Sequence, residues 1–133
     1  MSSSRTADLI LDYVASVGDK RFDHLAELVH PEATFGGTVK VESRGAVAYV
    51  QGFRNLAPIH LRNEVRDILV QGDRAFVLYD FVTDTGAGAV LCGELVTVEE
   101  GRIRSSTLIF DWRRWPEVLG ELRSRAGGAA PAR

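Results

Sequence analysis

The spacing of apolar residues changes near Ile59, and this change constrains the fold more than any other feature of the chain. Before it, apolar residues recur at steps of three and four, as on amphipathic helices. Beyond it they alternate, or fill short runs, between three turn sequences: Gln71-Gly72-Asp73, Thr85-Gly86-Ala87-Gly88 and Glu99-Glu100-Gly101. The segments between these turns, up to Trp112, predict four long antiparallel strands. Helices followed by a β-meander indicate an α+β fold.

The helical spacing predicts three helices before the meander and one after it. Their buried positions are Leu9, Ile10, Tyr13, Val14 and Val17 in the first, Phe22, Leu25, Ala26 and Val29 in the second, Val47, Val50 and Phe53 in the third, and Val118, Leu119 and Leu122 in the last. A short strand is predicted at residues 33–35. Because the helices must cover one face of the sheet, we expect a curved antiparallel β-sheet wrapped around helices, forming a cone with an internal pocket.

Length and composition are those of one globular domain. The chain has 133 residues, of which 45% are hydrophobic and 26% charged. We expect a single domain that spans residues 6–125 and is preceded by a flexible N-terminus, residues 1–5. The Gly-, Ala- and Pro-rich segment 126–133 is expected to be a disordered tail.

Charge and cysteine content exclude several kinds of partner. A net charge of −2 argues against nucleic acid, which requires a concentrated positive field. No apolar run approaches the roughly 20 residues of a membrane span, so no membrane is expected. Cys92 is the only cysteine, which excludes an intrachain disulfide, and the expected location is cytoplasmic. The histidines and Cys92 lack metal-ligand spacing, so we expect neither a metal nor a cofactor.

Several short segments carry a family resemblance. They are Val17–Leu28 (a helix-break-helix), Pro31–Phe35, Arg44–Val47, Gln71–Ala75, Glu100–Ile103 and Phe110–Trp112. In this order they resemble the nuclear transport factor 2-like superfamily, in its SnoaL-like and ketosteroid-isomerase-like branches; the last two segments are similar to limonene-epoxide-hydrolase-like members. The resemblance covers roughly residues 6–122 and implies the cone fold. It does not choose an activity, because this fold hosts isomerases, cyclases, hydrolases, dehydratases and non-enzymes.

The resemblance also implies roles for single residues. Tyr13 lies where ketosteroid isomerases carry the tyrosine that donates to the substrate oxyanion, and Glu94 where they carry a protonated aspartate. Their catalytic aspartate follows the first strand, and this chain has Gly37 there. The catalytic carboxylate of limonene epoxide hydrolases falls near Leu108. Both family bases are therefore replaced, which argues against steroid isomerisation and against that form of epoxide hydrolysis.

The residues themselves suggest a substitute for the missing base. If the hairpin loop is Gly86-Ala87-Gly88, Thr85 pairs with Ala89, and Asp80 then lies opposite Glu94 on the inward face. Two buried carboxylates in contact share a proton, and the pKa of one rises, which makes an acid and base pair. This register predicts Asp80, Glu94 and Tyr13 as the catalytic set. A different register would separate the pair, or both acids could face solvent.

Further side chains are predicted to bind the substrate or a second copy of the chain. The expected pocket lining is Phe35, Tyr49, Phe53, Leu78, Val82, Cys92, Leu108 and Phe110. His60 shares its parity with charged residues and is expected at the surface or in a dimer contact, in preference to a catalytic role. The meander strands are apolar on both faces, and since helices cover only one, the outer face, including Tyr79, Phe81, Leu91 and Leu95, predicts a homodimer.

Two interpretations of the function follow. The first is proton-transfer chemistry of the isomerase, cyclase or hydrolase type on a small, mostly apolar molecule. The second is a non-catalytic ligand-binding or dimerisation module, which Gly37 favours. A purely structural domain that binds a partner through its outer sheet face is the third class considered.

Overall fold

Helices precede and follow a six-stranded sheet, as the change of period predicts. The computed structural model describes residues 1–37 and 41–127. Its elements are α1 (Ser3–Gly18), α2 (Phe22–Leu28), β1 (Val29–Gly36), β2 (Val41–Arg44), α3 (Ala46–Leu56), a 3₁₀ turn (Ala57–Ile59), β3 (His60–Gln71), β4 (Arg74–Thr83), β5 (Ala89–Glu99), β6 (Arg102–Phe110) and α4 (Trp115–Gly127). The α+β prediction is confirmed.

The sheet is curved and open, with the strand order β2-β1-β6-β5-β4-β3. The four predicted strands form the antiparallel meander β3 to β6. The predicted short strand is longer, and β1 pairs in parallel with β6 at the end of the meander. Strand β2, which pairs with β1, was not predicted. This parallel pairing places the N-terminal half of the chain beside the last strand.

The core lies between the helices and the inner face of the sheet. From α1, the buried residues Ile10, Tyr13, Val14 and Val17 face inward, as predicted, and from α3, Tyr49, Val50 and Phe53. Val77 and Phe81 of β4 and Val96 of β5 meet them from the sheet. The helices thus close the concave side of the sheet, which produces the cone. No helix among residues 1–37 and 41–127 is long and apolar enough to cross a membrane.

The chain ends differ from their predicted boundaries. Helix α1 begins at Ser3, since the Ser2 hydroxyl accepts a hydrogen bond from the Arg5 N–H at 3.3 Å. The Gly72 N–H donates to Ser3 Oγ at 3.0 Å, and Thr6 Oγ1 donates to the Gly72 carbonyl at 2.6 Å. Residues 3–5 are therefore part of a docked helix and not of a flexible N-terminus. Helix α4 includes residues 126–127, the first two of the expected tail; residues 128–133 lie outside the described residues.

The two faces of β4 are the reverse of the prediction. Leu78, Asp80 and Val82 lie on the outer face, whereas Tyr79 and Phe81 point into the core. The hairpin register explains this: Asp80 pairs with Leu91, three residues from the predicted partner Glu94. A shift by an odd number of residues moves a side chain to the other face.

Thr83 fixes that register by closing a longer loop than expected. Its N–H and its hydroxyl both donate to the Gly88 carbonyl, at 3.1 and 2.7 Å. Val82 and Ala89 form the next pair of the ladder, so Ala89 cannot pair with Thr85. The predicted three-residue loop is wrong for this reason.

Candidate active site around Glu94

Glu94 is a buried carboxylate held by three hydroxyl groups. Glu94 is 1% exposed and lies on the inner face of β5. Oε1 accepts hydrogen bonds from Tyr13 Oη at 2.7 Å and from Ser106 Oγ at 2.6 Å. Oε2 accepts one from Tyr79 Oη. Burying a charge is costly unless it is hydrogen-bonded, and these three donors make the burial possible.

The fold places these donors from three different elements. Tyr13 lies on the inward stripe of α1, at the position that the resemblance indicates. Tyr79 pairs with Cys92 on the inner face of the β4–β5 ladder. Cys92 is the inward-facing residue of β5 that precedes Glu94. Ser106 of β6 pairs with Val96, which is the inward-facing residue of β5 that follows Glu94. The carboxylate therefore sits at a point where one helix and two neighbouring strands converge.

A fourth hydroxyl extends the cluster away from the carboxylate. Tyr49 Oη of α3 lies 2.7 Å from Tyr13 Oη. The single hydroxyl hydrogen of Tyr13 is directed at Glu94, so Tyr49 must donate to Tyr13. The result is a chain of hydrogen bonds from Tyr49 through Tyr13 to Glu94, which we call the Glu94 cluster together with Tyr79 and Ser106.

The three tyrosines of the cluster act as hydrogen-bond donors at neutral pH. Burial, and next the negative charge of Glu94, raise the pKa of Tyr13, Tyr49 and Tyr79 well above the ordinary value of 10.0. Their phenol groups therefore keep their protons. Raised phenol pKa values suit the stabilisation of oxygen on a ligand and exclude a tyrosinate base.

Counting hydrogens shows what the cluster can do chemically. With Glu94 ionised, each of the four hydroxyl hydrogens already has an acceptor. If the carboxylate gains a proton, that proton needs an acceptor in turn, and one hydroxyl must rotate to supply it. The hydrogen of that hydroxyl then points away from Glu94. The protonated cluster can thus donate to a ligand oxygen, and the ionised cluster can take a proton back.

Apolar side chains form the wall beside the cluster. Leu108 is opposite Glu94, and Phe110 is opposite Cys92, all on the inner face. Phe35 packs edge-on against Tyr49 and Phe53, with ring centroids 5.1 and 5.4 Å apart. Six of the eight predicted lining residues lie in or against the core on the inner side of the sheet: Phe35, Cys92, Leu108 and Phe110 from the strands, and Tyr49 and Phe53 from α3. Leu78 and Val82 do not, because they lie on the outer face.

The side chains around the cluster are tightly packed. Tyr13, Tyr49 and Phe53 are buried and touch one another through edge-on and tilted ring contacts. Trp115 of α4 packs edge-on against Phe110 at 5.0 Å. Surface hollows open elsewhere, one beside Lys20 and Arg54 and one beside His30 and Arg102. The half-buried residues of the wall include Phe35, Leu108 and Phe110.

Asp80 does not belong to the site. Its carboxylate lies on the outer face, where both oxygens accept from the guanidinium of Arg66, at 2.9 and 3.1 Å. It is opposite Leu91 on β5 and Glu64 on β3. The predicted proton-sharing pair of Asp80 and Glu94 is therefore wrong, since the two side chains point to opposite faces.

Tyr79 and Ser106 are the cluster members that the sequence reasoning missed. The predicted hairpin register places Tyr79 on the outer face together with Phe81, whereas the observed register places both on the inner face. Ser106 is a small polar residue at an inward position of β6, where Ile103, Leu108 and Phe110 are apolar. That break in the pattern, opposite the strand that holds Glu94, is the signal that would have indicated it.

Cys92 and His60 are buried but offer little reactivity. Burial raises the pKa of the Cys92 thiol to about 12, so it is not a thiolate at neutral pH. His60 is 2% exposed, not at the surface as predicted, and stacks on Phe81 at 3.8 Å. Its Nε2 lies 2.8 Å from Asn63 Oδ1, an acceptor, so this nitrogen carries the hydrogen. Burial lowers the pKa of His60, and the ring stays neutral.

His30, Glu99 and Glu100 bring three possible metal ligands together at another place in the sheet. His30 Nδ1 accepts from the Glu32 N–H at 3.0 Å, so the ring hydrogen must be on Nε2. Nε2 donates it to Glu100 at 2.8 Å. Both ring nitrogens are thus occupied by hydrogen bonds, and the group fits a hydrogen-bonded cluster better than a metal site.

Comparison with known proteins agrees with the fold of this chain. The sequence profile of the SnoaL-like domain matches residues 10–106. A de novo designed protein with a curved β-sheet has a TM-score of 0.77 at 18% identity, covering 90% of this chain and 96% of its own. An NTF2-like protein of unknown function from Mesorhizobium loti has a TM-score of 0.69 at 25% identity, covering 82% of this chain and 93% of its own.

A steroid delta-isomerase from Pseudomonas aeruginosa has a TM-score of 0.71 at 15% identity, covering 92% of this chain and 90% of its own. No curated protein sequence matches significantly. The structural likenesses describe the fold, and the profile covers most of the described residues. The chain belongs to the SnoaL-like domain family.

Proposed function

We propose that the protein binds a small, mostly apolar molecule inside the cone and transfers a proton at the Glu94 cluster. The observation that carries this proposal is the Glu94 carboxylate, 1% exposed and held by three hydroxyls from three elements. An apolar residue of similar volume would stabilise a core as well or better. A buried carboxylate surrounded by phenols is instead typical of sites that handle protons.

The chemistry of the cluster defines the ligand class. A ligand with one carbonyl or enol oxygen can accept the hydrogen that the protonated cluster frees, while its apolar body packs against Leu108 and Phe110. Tyr13 is the nearest oxygen donor to Glu94 on the helix side, and Glu94 exchanges the proton. The reaction class is proton transfer of the isomerase, cyclase or hydrolase type.

The comparisons support this class without naming a substrate. One protein of the same fold is named a steroid delta-isomerase, but at 15% identity the likeness concerns the fold. Gly37 stands where the resemblance to ketosteroid isomerases places the catalytic aspartate. We therefore assign proton transfer on an apolar carbonyl compound, and not steroid isomerisation.

A non-catalytic ligand-binding module is the second candidate. The tight packing of Tyr13, Tyr49 and Phe53 around the cluster favours it, as does the full use of every hydroxyl hydrogen. In that case the cluster would be a polar network that fixes the arrangement of α1, α3 and the sheet.

Binding of 2-naphthol tests the proposal, because this compound combines an apolar body with one phenolic oxygen. We expect saturable binding to the wild-type protein, followed by the fluorescence of the ligand. Tyr13→Phe and Glu94→Gln should each weaken it by about tenfold or more, as expected for one lost buried hydrogen bond. Asp80→Asn, on the outer face, is the control and should bind normally. Wild-type protein that does not bind, or cluster variants that bind equally well, would contradict the proposal.

A further inference from the structure

The space beside Gly37 holds the carboxylate of Glu42. A Cβ atom built on Gly37 would meet Glu42 Oε2 at 3.6 Å and the Leu108 carbonyl at 4.0 Å. Both are ordinary contact distances. A carboxylate therefore already lies where a side chain at position 37 would extend, although residue 37 itself has none.

A β-bulge directs Glu42 toward this space. In the β1–β2 ladder, Phe35 pairs with Ser43 and Gly36 pairs with Val41. One step along β1 thus corresponds to two along β2, and Glu42 is the extra residue. An extra residue of this kind bends its strand and changes the direction of its side chain, and bulges are frequent next to active sites.

The carboxylate of Glu42 lies at the rim of the face that contains Glu94. Phe35 is opposite Ser106 on β6, and Ser106 binds Glu94, so this pair faces inward. Gly36 pairs with Thr107, the residue before Leu108, so Gly37 lies beside Leu108 where β1 ends. Leu108 is opposite Glu94 on β5. The backbones of Gly37 and Glu94 are then two strand spacings apart, about 10 Å.

Two properties distinguish Glu42 from the other acids near the cone. The oxygens of Glu94 already accept from three hydroxyls, so they are poorly placed to take a proton from carbon. Asp80 lies on the outer face. Glu42 is exposed, which allows it to exchange protons with water, and it lies beside the apolar wall at Leu108.

We infer that Glu42 is the catalytic base that removes a proton from carbon while the Glu94 cluster holds the oxygen of the same molecule; this inference rests on the proposed function. The Glu42 carboxylate takes the proton from the carbon next to a carbonyl. The C–H electron pair forms the C=C bond, and the carbonyl π pair moves to oxygen, where the cluster supplies a proton. Return of the first proton to the same or a conjugated carbon, and of the second to the cluster, restores both groups.

Hydrogen–deuterium exchange of 2-tetralone in D₂O measures this step directly. Its C1 protons lie next to a carbonyl on an apolar body, and their loss is followed by NMR. We expect the wild-type protein to accelerate exchange and Glu42→Gln to lower the rate by about 100-fold or more. 2-Naphthol binding should stay within about twofold, because the cluster is intact. Glu27→Gln, another exposed glutamate, is the matched control and should exchange like the wild type.

Moving the carboxylate to position 37 provides a second variant. Gly37 has no positive φ, and a Cβ there makes no contact below 3.6 Å, so aspartate fits the backbone. We expect Glu42→Gln with Gly37→Asp to recover at least about tenfold of the exchange rate lost in Glu42→Gln. A carboxylate needed only for stability would not be rescued in this way.

The outcomes separate this inference from the proposed function. Exchange that is lost in Glu94→Gln but unchanged in Glu42→Gln would overturn the role of Glu42 and leave the proposed function standing. Wild-type exchange no faster than that of the buffer would also overturn the role of Glu42. Absence of wild-type 2-naphthol binding would overturn the proposed function itself, and this inference with it.

Discussion

The hydroxyl of Tyr13 donates to Glu94 at 2.7 Å, joining the first helix to β5 across 81 positions of the sequence. The same hydroxyl accepts from Tyr49 of α3. One oxygen atom thus connects two helices to the sheet inside the cone. The contact belongs both to the stability of the fold and to its proposed chemistry, and substitutions should reveal both contributions.

Tyr13→Phe removes one donor from the buried carboxylate and leaves Tyr49 without its acceptor. We expect a loss of about 1–3 kcal/mol in the free energy of unfolding, the usual cost of a buried polar group left without a partner. Urea denaturation measures it. Tyr49→Phe is the matched control, because it removes only the outer bond of the chain, and should cost less. A Tyr13→Phe variant as stable as the wild type would show that the hydrogen bond contributes no net stability.

The tyrosines predict a steep loss of stability in alkali. All three tyrosines of the chain are in the cluster, and burial followed by the charge of Glu94 raises the pKa of each. Below about pH 10 both the folded and the unfolded chain keep these protons. Above it only the unfolded chain releases them, so the free energy of unfolding falls by up to about 1.4 kcal/mol per pH unit for each tyrosine.

Absorbance at 295 nm, which reports tyrosinate, tests this prediction. We expect the signal to appear in one cooperative step together with the loss of circular dichroism, above the pH at which free tyrosine ionises. Glu94→Gln removes the second cause of the raised pKa values, and its step should come at lower pH. Gradual ionisation near pH 10 in a protein that stays folded would contradict the burial of these phenols.

Much of this architecture follows from the sequence because periodicity directly reflects burial. The stripe on α1 places Tyr13 inward, and the alternation of Cys92, Glu94 and Val96 places Glu94 inward, both as the structure has them. Each of these assignments depends only on the pattern of apolar residues within a single helix or strand. They are reliable because neither segment contains an irregularity between the residues compared.

Relationships between elements were harder to predict, since they depend on hydrogen bonds that a hydrophobic pattern does not contain. The error at Asp80 comes from the Thr83 hydroxyl, which closes a longer hairpin loop. His60 points inward because the β3–β4 register shifts between His60 and Arg62. Glu42 reaches the cone through a bulge in a strand that was not predicted. In each case a shift of register by an odd number of residues decides the face to which the side chain points.

The position of Asp80 on the outer face predicts that its substitution has little effect on stability. Asp80 forms an ion pair with Arg66, whose side chain is 55% exposed, and such pairs contribute about 0–1 kcal/mol. We expect Asp80→Asn to be unchanged or slightly less stable in urea, and to exchange 2-tetralone like the wild type. A clear gain in stability would indicate repulsion at this position, and would require another register of the hairpin.

We propose that a second copy of the chain covers the outer face of the sheet. Its exposed apolar side chains are Leu69 of β3, Leu91 and Leu95 of β5 and Ile109 of β6, and the half-buried Phe76 of β4 lies among them. The charge of Asp80 on this face is neutralised by Arg66, so two identical faces can meet about a two-fold axis without repulsion. Sedimentation equilibrium should show a dimer at concentrations on the order of tens of micromolar.

Charged substitutions decide whether that face is the interface. Leu95→Asp and Ile109→Asp place a carboxylate where the side chains are now 43% and 55% exposed, and burying it between two copies would be costly. Both variants should sediment as monomers and remain folded. Val47→Asp is the matched control, because Val47 is 86% exposed on α3, away from the sheet, and this variant should stay dimeric. A wild-type protein that is a stable monomer at these concentrations, or a Leu95→Asp variant that still dimerises, would rule out this face as the interface.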